Sequence, residues 1–158
     1  MSKNKKAAEC LFCKIINKQE ESAVIWQNDF CTAILDLFPN THGSTVLLTN
    51  KHYDSDIFDS MNGDELQQFF SAVSEVIKLL KKKLNVKRVA VVVEGMGINH
   101  AHIKLYPMHG LTKNFQEMRG SEKIFFQSYE GYLSTQIGPR ADRAMLRELA
   151  KKISKKHK

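Results

Sequence analysis

The stretch Glu94-Gly95-Met96-Gly97-Ile98-Asn99-His100-Ala101-His102-Ile103-Lys104-Leu105-Tyr106 decides how the chain folds and what chemistry it can host. From residue 100 the side chains alternate, with His100, His102 and Lys104 on one face of a strand and Ala101, Ile103 and Leu105 on the other. Two imidazoles and an ammonium then share one surface. Taken alone, the pattern also fits an ordinary half-exposed strand. The lead-in adds weight to a functional reading, because glycines at 95 and 97 permit a turn whose backbone N–H groups approach a phosphate closely.

On either side of this strand, β-branched content and alternation predict further strands over 23–26, 30–37, 45–49 and 88–94, with the histidine strand itself over 101–108. Residues 64–84 set Leu66, Phe69, Phe70, Val73, Val76, Ile77, Leu80 and Leu84 on one face at helical spacing. Ser60 or Asn62 is the expected cap, Asp64 and Glu65 sit near the positive end, and Lys81, Lys82 and Lys83 near the negative end. A second helix is expected over 141–155, after the Gly138-Pro139 break. The order strand, strand, strand, helix, strand, strand, helix predicts an α+β fold, a mainly antiparallel five-stranded sheet with one long and one C-terminal helix on one side.

Composition is compatible with one globular domain over residues 1–158: 42% of residues are hydrophobic and 26% charged, without repeats or low-complexity linkers. The net charge of +7 is concentrated at the ends. Three lysines in residues 1–6 and eight basic against two acidic residues in 140–158 leave +9 there and −2 between them. Basic extensions over 1–8 and 140–158 are thus expected, read as solvated termini or as a weak, salt-sensitive contact for nucleic acid. The longest aliphatic run, 89–93, is far too short for the ~20 residues of a membrane span, and residues 1–9 lack an apolar signal core, so neither membrane insertion nor secretion is expected. Three cysteines, an odd number, argue for a reducing, cytoplasmic setting.

Cys10-Leu11-Phe12-Cys13 has the spacing that lets two thiolates reach one metal ion, with His52 and His100 as candidates for the remaining zinc ligands. Two unmetallated thiols are the alternative. A thioredoxin-like redox pair would need a βαβ context that this part of the chain does not offer. Cys31 falls in an apolar strand and reads as a packed thiol.

These residues together resemble the histidine-triad (HIT) family of nucleotide hydrolases and transferases. The resemblance covers about residues 9–110 through four segments in order: Cys10 to Ile16, Ala33 to Pro39, Gly43 to His52, and His100-Ala101-His102. It implies an α+β homodimer joining two five-stranded sheets, with a nucleotide or nucleotide conjugate near the histidine strand. His102 matches the nucleophile. Leu11, Phe12, Ile34 and Leu37 match the nucleobase pocket, and Asp36 matches the ribose contact. Ser44, Gly97, Asn99 and Lys104 complete the expected nucleotide contacts. In zinc-bearing members, Cys10, Cys13, His52 and His100 match the metal ligands. Two positions depart from the pattern: Lys104 replaces the third histidine of the motif, and Ser44 stands where a histidine usually follows the glycine, with His42 two residues upstream.

The resemblance implies attack by a neutral His102 on an α-phosphorus, a nucleotidyl-histidine intermediate and its hydrolysis. An ammonium at 104 disfavours a second positive charge nearby, keeping the imidazole available, and is suited to stabilising phosphoryl oxygens. It is a poor proton donor to a leaving group near neutral pH. Leaving groups already stable as anions, as in dinucleoside polyphosphates, are therefore expected to suit this chain better than amines. The alternative is a nucleotide-binding protein of the same fold with weakened catalysis. Residues 111–139, including Arg119, Lys123, Tyr129 and Tyr132, match no motif and either fold over the nucleotide or support the dimer.

Overall fold

The computed structural model describes residues 9–120, 123–131, 133 and 137–154. The elements are α1 (Leu11–Ile16), β1 (Val24–Gln27), β2 (Cys31–Leu35), β3 (Thr45–Thr49), α2 (Ile57–Ser60), α3 (Gly63–Leu84), β4 (Arg88–Val92), β5 (His102–Met108) and α4 (Arg143–Ser154). The five strands form one sheet in the order β1-β2-β3-β5-β4, every neighbouring pair antiparallel. The α+β class and the five-stranded antiparallel sheet are therefore as expected.

β2 and β3 are buried along their whole length, which means that both faces of the sheet are covered at its centre. On one face Ala33, Leu47, Ile103 and Leu105 pack with Phe69, Val76 and Leu80 of α3 and with Leu146, Ala150 and Ile153 of α4. Phe69, Val76 and Leu80 are wholly buried, each contributing roughly 1.5–3 kcal/mol by removal from water. On the other face Ile34, Val46 and Leu48 pack with Cys10, Phe12 and Cys13 of α1. The long and the C-terminal helix share one side, as expected, and α1, a helix outside that expectation, covers the other. α1 escapes sequence periodicity because it has six residues, and its N-cap Cys10 makes no side-chain capping bond.

α3 is held open-ended by neither terminus. Asn62 is the cap, accepting from Glu65 N at 3.0 Å while its own N–H donates to Glu65 at 2.9 Å, a reciprocal capping box. Asn85 closes the other end in the left-handed region at φ 52°. Ser60 belongs instead to α2, and its hydroxyl donates to the Asp54 carbonyl. β2 is shorter than the expected 30–37 because the Asp36 carboxylate accepts from Phe38 N at 2.8 Å, turning the chain out of the sheet. Residues 143–154 form the last helix, capped by Asp142 through Met145 N at 2.9 Å; residue 155 lies outside the described residues. Its stripe of Leu146, Ala150 and Ile153 joins the main core, while Lys151 and Lys152 stay exposed. Within the stretch 140–158 expected as a basic extension, Arg143–Ser154 is therefore a packed helix.

β4 ends at Val92 rather than 94, and the chain turns at Gly95, where φ is +73°. A Cβ there would lie 2.7 Å from the Ser55 carbonyl oxygen. Asn99 braces the same contact, accepting from Ser55 N at 2.8 Å and donating to Asp54 at 2.9 Å. Gly95→Ala should therefore cost about 1–2 kcal/mol for the left-handed conformation alone, and more for the clash with backbone. Thermal melting checks this: a Tm within a degree of the parent's would contradict it.

Candidate active site

The antiparallel register sets the site. Val46 lies opposite Lys104, Ile34 opposite Val46 and Val24 opposite Ile34, so one cross-strand row on the α1 face links β5 to β1. Leu48 lies opposite His102 in the neighbouring row. Over these rows opens a cavity of about 300 Å³, floored by apolar side chains and lined by both His102 and Lys104.

His102 is only 3% exposed, yet it lines this cavity. Its Nδ1–H donates to the His100 carbonyl at 2.6 Å, which fixes the tautomer with the Nε2 lone pair free of the proton. Burial lowers its pKa; the carbonyl bond acts the other way and the Lys104 charge lowers it further, so the neutral ring is favoured. Phe12 packs edge-on to His102 and His100, with ring centroids 5.3 and 5.7 Å away. A neutral, oriented and pinned imidazole facing a cleft is suited to nucleophilic attack. Lys104 Nζ lies 3.7 Å from the carboxylate of Glu94, whose side chain is 4% exposed.

Leu11, Phe12, Ile34, Asp36, Leu37, Gly97, His102 and Lys104 all line the cavity. Ser44 and Asn99 do not. Ser44 is buried, with its backbone N–H donating to Thr41 and its carbonyl accepting from Asp36 N, and Asn99 is the brace already described. His42 is likewise outside the lining; its carbonyl accepts from His109 Nε2 at 2.8 Å. Unexpected contributors come from Glu21 and from Arg143, Leu146 and Arg147 of α4. The apolar spacing of 146, 150 and 153 could have revealed that α4 packs, though not where its arginines lie.

Cys10, Cys13, His52 and His100 bring their ligand atoms within 4.8 Å of one another. His100 Nδ1 lies 3.4 Å from Cys10 Sγ and 3.5 Å from Cys13 Sγ, and His52 Nδ1 lies 3.3 Å from Cys13 Sγ. A tetrahedral zinc with ordinary Zn–S and Zn–N bonds requires S···N separations of about 3.5 Å, so the donor set fits zinc. His100 Nε2–H donates to the Thr49 carbonyl at 2.8 Å, which directs Nδ1 to the thiols as a second-shell partner does. Burial drives the His100 pKa down to about 4, and burial with the neighbouring Cys10 pushes Cys13 up to about 11. The His100 ring is thereby neutral, the form that ligates a metal, and the Cys13 shift expresses the cost of a thiolate in this pocket, which a divalent cation would offset. Cys31, apart from the cluster, is a wholly buried thiol raised to about 12 by burial.

A five-stranded antiparallel sheet with a histidine at a cleft and a Cys2His2 cluster beside it is the arrangement expected of an α+β protein of the histidine-triad type. The HIT domain model matches residues 17–115, and the chain belongs to the HIT family. An uncharacterised HIT-like protein of Methanocaldococcus jannaschii is 34% identical over 104 residues, 63% of this chain and 79% of that one. The crystal structure of a hypothetical histidine triad nucleotide-binding protein from Sulfolobus tokodaii aligns with TM-score 0.70 at 21% identity, covering 92% of this chain and 89% of the other. A zinc-bound histidine triad family protein from Mycobacterium smegmatis aligns with TM-score 0.61 at 16% identity, over 94% and 92% of the two chains. At these identities the structural matches establish a shared fold. Family membership supports nucleotide binding and nucleotide hydrolase or transferase activity in general. Among the described residues no helix is long and apolar enough to cross a membrane.

Proposed function

We propose that the chain is a nucleotide hydrolase or nucleotidyl transferase in which His102 attacks an α-phosphorus. The observation that carries this reading is the 2.6 Å bond from His102 Nδ1–H to the His100 carbonyl, on a ring that lines an apolar-floored cleft. In the first step the Nε2 lone pair forms a bond to phosphorus while the bond to the leaving oxygen breaks, and the leaving group departs with that electron pair. Nδ1 keeps its proton, and the imidazolium of the nucleotidyl-histidine is stabilised by the carbonyl. In the second step water attacks phosphorus, the P–N bond returns its electrons to His102, a nucleoside monophosphate leaves, and the proton from water passes to solvent. A transferase would use another nucleophile in place of water.

In this proposal the base rests on Leu11, Phe12, Ile34 and Leu37, Asp36 meets the ribose hydroxyls, and Gly97 and Lys104 face the phosphate. The placement of Ser44 and Asn99 supports a framing role for them. Zinc, held by Cys10, Cys13, His52 and His100, supplies a structural cross-link between α1 and the sheet. A homodimer is supported by the sheet's edge at β4, where Val91 is exposed and a second copy would find an open strand. Cytoplasmic location accords with free, buried cysteines. The proposed weak nucleic-acid contact would fall on residues 1–8 and the last lysines, which lie outside the described residues.

Lys104, tied to the buried Glu94 carboxylate, leaves the leaving group without a good acid. Dinucleoside polyphosphates should therefore turn over about 100-fold faster than nucleoside phosphoramidates, the size of a missing general acid. Parallel kcat/KM measurements on one of each test this, and a preference for the phosphoramidate would refute it. The tie between Lys104 and Glu94 also favours a second reading, nucleotide binding with little catalysis, which measurable turnover on neither substrate would select.

A further inference from the structure

The cavity has a second charged end that the proposed chemistry does not use. Three inter-strand steps separate β5, with His102 and Lys104, from β1, a span of about 14 Å along the sheet. An extended nucleoside monophosphate with its phosphate at His102 runs along the apolar floor in this direction, and the long arginine side chains that line the cavity shorten the remaining gap. At the β1 end, α4 packs against the sheet and brings Arg143 and Arg147 into the lining. Glu21, just before β1, holds both: Arg143 Nη1 donates to its carbonyl at 2.7 Å and lies 3.5 Å from its carboxylate, and Arg147 Nη1 donates to the same carboxylate. These contacts engage one nitrogen of each guanidinium, and each fork carries further N–H donors in a rigid plane.

A base lying on the apolar floor, with its phosphate at His102, turns its far edge toward this pair. Guanidinium groups offer only donors, so the edge they accept must present acceptors. A 6-oxopurine presents O6 and N7 side by side, the bidentate match for an arginine fork, whereas adenine carries an amino donor at position 6. We infer that Arg143 and Arg147 read the base, making the site selective for 6-oxopurine nucleotides over adenine nucleotides, with Glu21 as the positioning residue that holds the two side chains. This inference rests on the reading of the cavity as a nucleotide site.

Equilibrium binding of GMP, IMP and AMP to the full chain tests it. GMP and IMP should bind within about two-fold of each other, and each at least about ten-fold more tightly than AMP. In Arg143→Gln/Arg147→Gln the preference should shrink to within about two-fold, with GMP and IMP losing more affinity than AMP because the lost contacts serve the 6-oxo group. Arg147→Lys, which keeps the charge and removes the fork, should also lose most of the preference and serves if the double variant fails to fold. AMP binding as tightly as GMP, or a preference that survives both variants, overturns the inference while leaving the nucleotide site standing. GMP binding far more tightly than IMP would assign selectivity to the 2-amino group and also overturn it. If none of the three nucleotides binds, the underlying reading of the cavity fails instead.

Discussion

His102→Ala should lower turnover by roughly 1000-fold or more while leaving nucleotide affinity within a few-fold of the parent's. The imidazole is the group at the cleft with an oriented lone pair: its Nδ1 proton is committed to the His100 carbonyl, and burial holds the ring neutral. Alanine removes the nucleophile and leaves the apolar floor, Asp36 and Lys104 in place. The side chain lies over the sheet rather than between sheet and α3, so its loss opens space beside Phe12 without breaching the main core. The check has two arms. Steady-state release of nucleoside monophosphate reports the chemistry, and mass spectrometry of acid-quenched protein reports the covalent adduct, which should appear on residue 102 and vanish in the variant. Turnover that persists near the parent rate would remove His102 from the reaction.

What could be read in advance followed from how local the determining pattern was. α3 is legible because eight apolar residues repeat at helical spacing over more than five turns, with a cap that depends on residues three apart. The histidine strand is legible for the same reason at period two. α1 is not, since six residues bounded by a cysteine cap carry too little periodicity, and the resemblance to HIT proteins was needed to assign Leu11 and Phe12 a place at the cleft. α4 shows a different failure. Its helical pattern is visible, but its cationic surface draws attention to the exposed face, while Leu146, Ala150 and Ile153 enter the core and Arg143 and Arg147 meet a glutamate more than 120 positions earlier. Pairing at such separation is a consequence of α4 crossing back to β1, which no local spacing encodes. Ser44 and Asn99 illustrate the converse: the resemblance leads to both being expected at the nucleotide, whereas both are engaged by neighbouring segments of the frame.

The Cys2His2 cluster carries the second large effect. Protein prepared without chelator should contain about one zinc per chain, and Cys13→Ala should lose it together with at least about 3–5 kcal/mol of stability, lowering Tm by roughly 10 °C or more. The magnitude follows from what the four ligands join. Cys10 and Cys13 lie at the start of α1, His52 follows β3, and His100 precedes β5, so a bound ion would bind a marginal six-residue helix to the sheet at the edge of the cleft. Without it, two buried thiols, the buried His100 and the half-buried His52 face one another across weak sulfur contacts. α1 also supplies Leu11, Phe12 and Ile15 to the cavity, so the same variant should weaken nucleotide binding, coupling metal retention to function. Cys31→Ala is the control: it removes a wholly buried thiol outside the cluster and should cost stability while keeping zinc. Elemental analysis of parent and variants, alongside melting curves before and after chelation, separates the cases. A parent protein with no zinc and freely titrating thiols, or a Cys13→Ala melt that coincides with the parent's, would show that the cluster is packing alone, with α1 held by Phe12 and its hydrophobic neighbours.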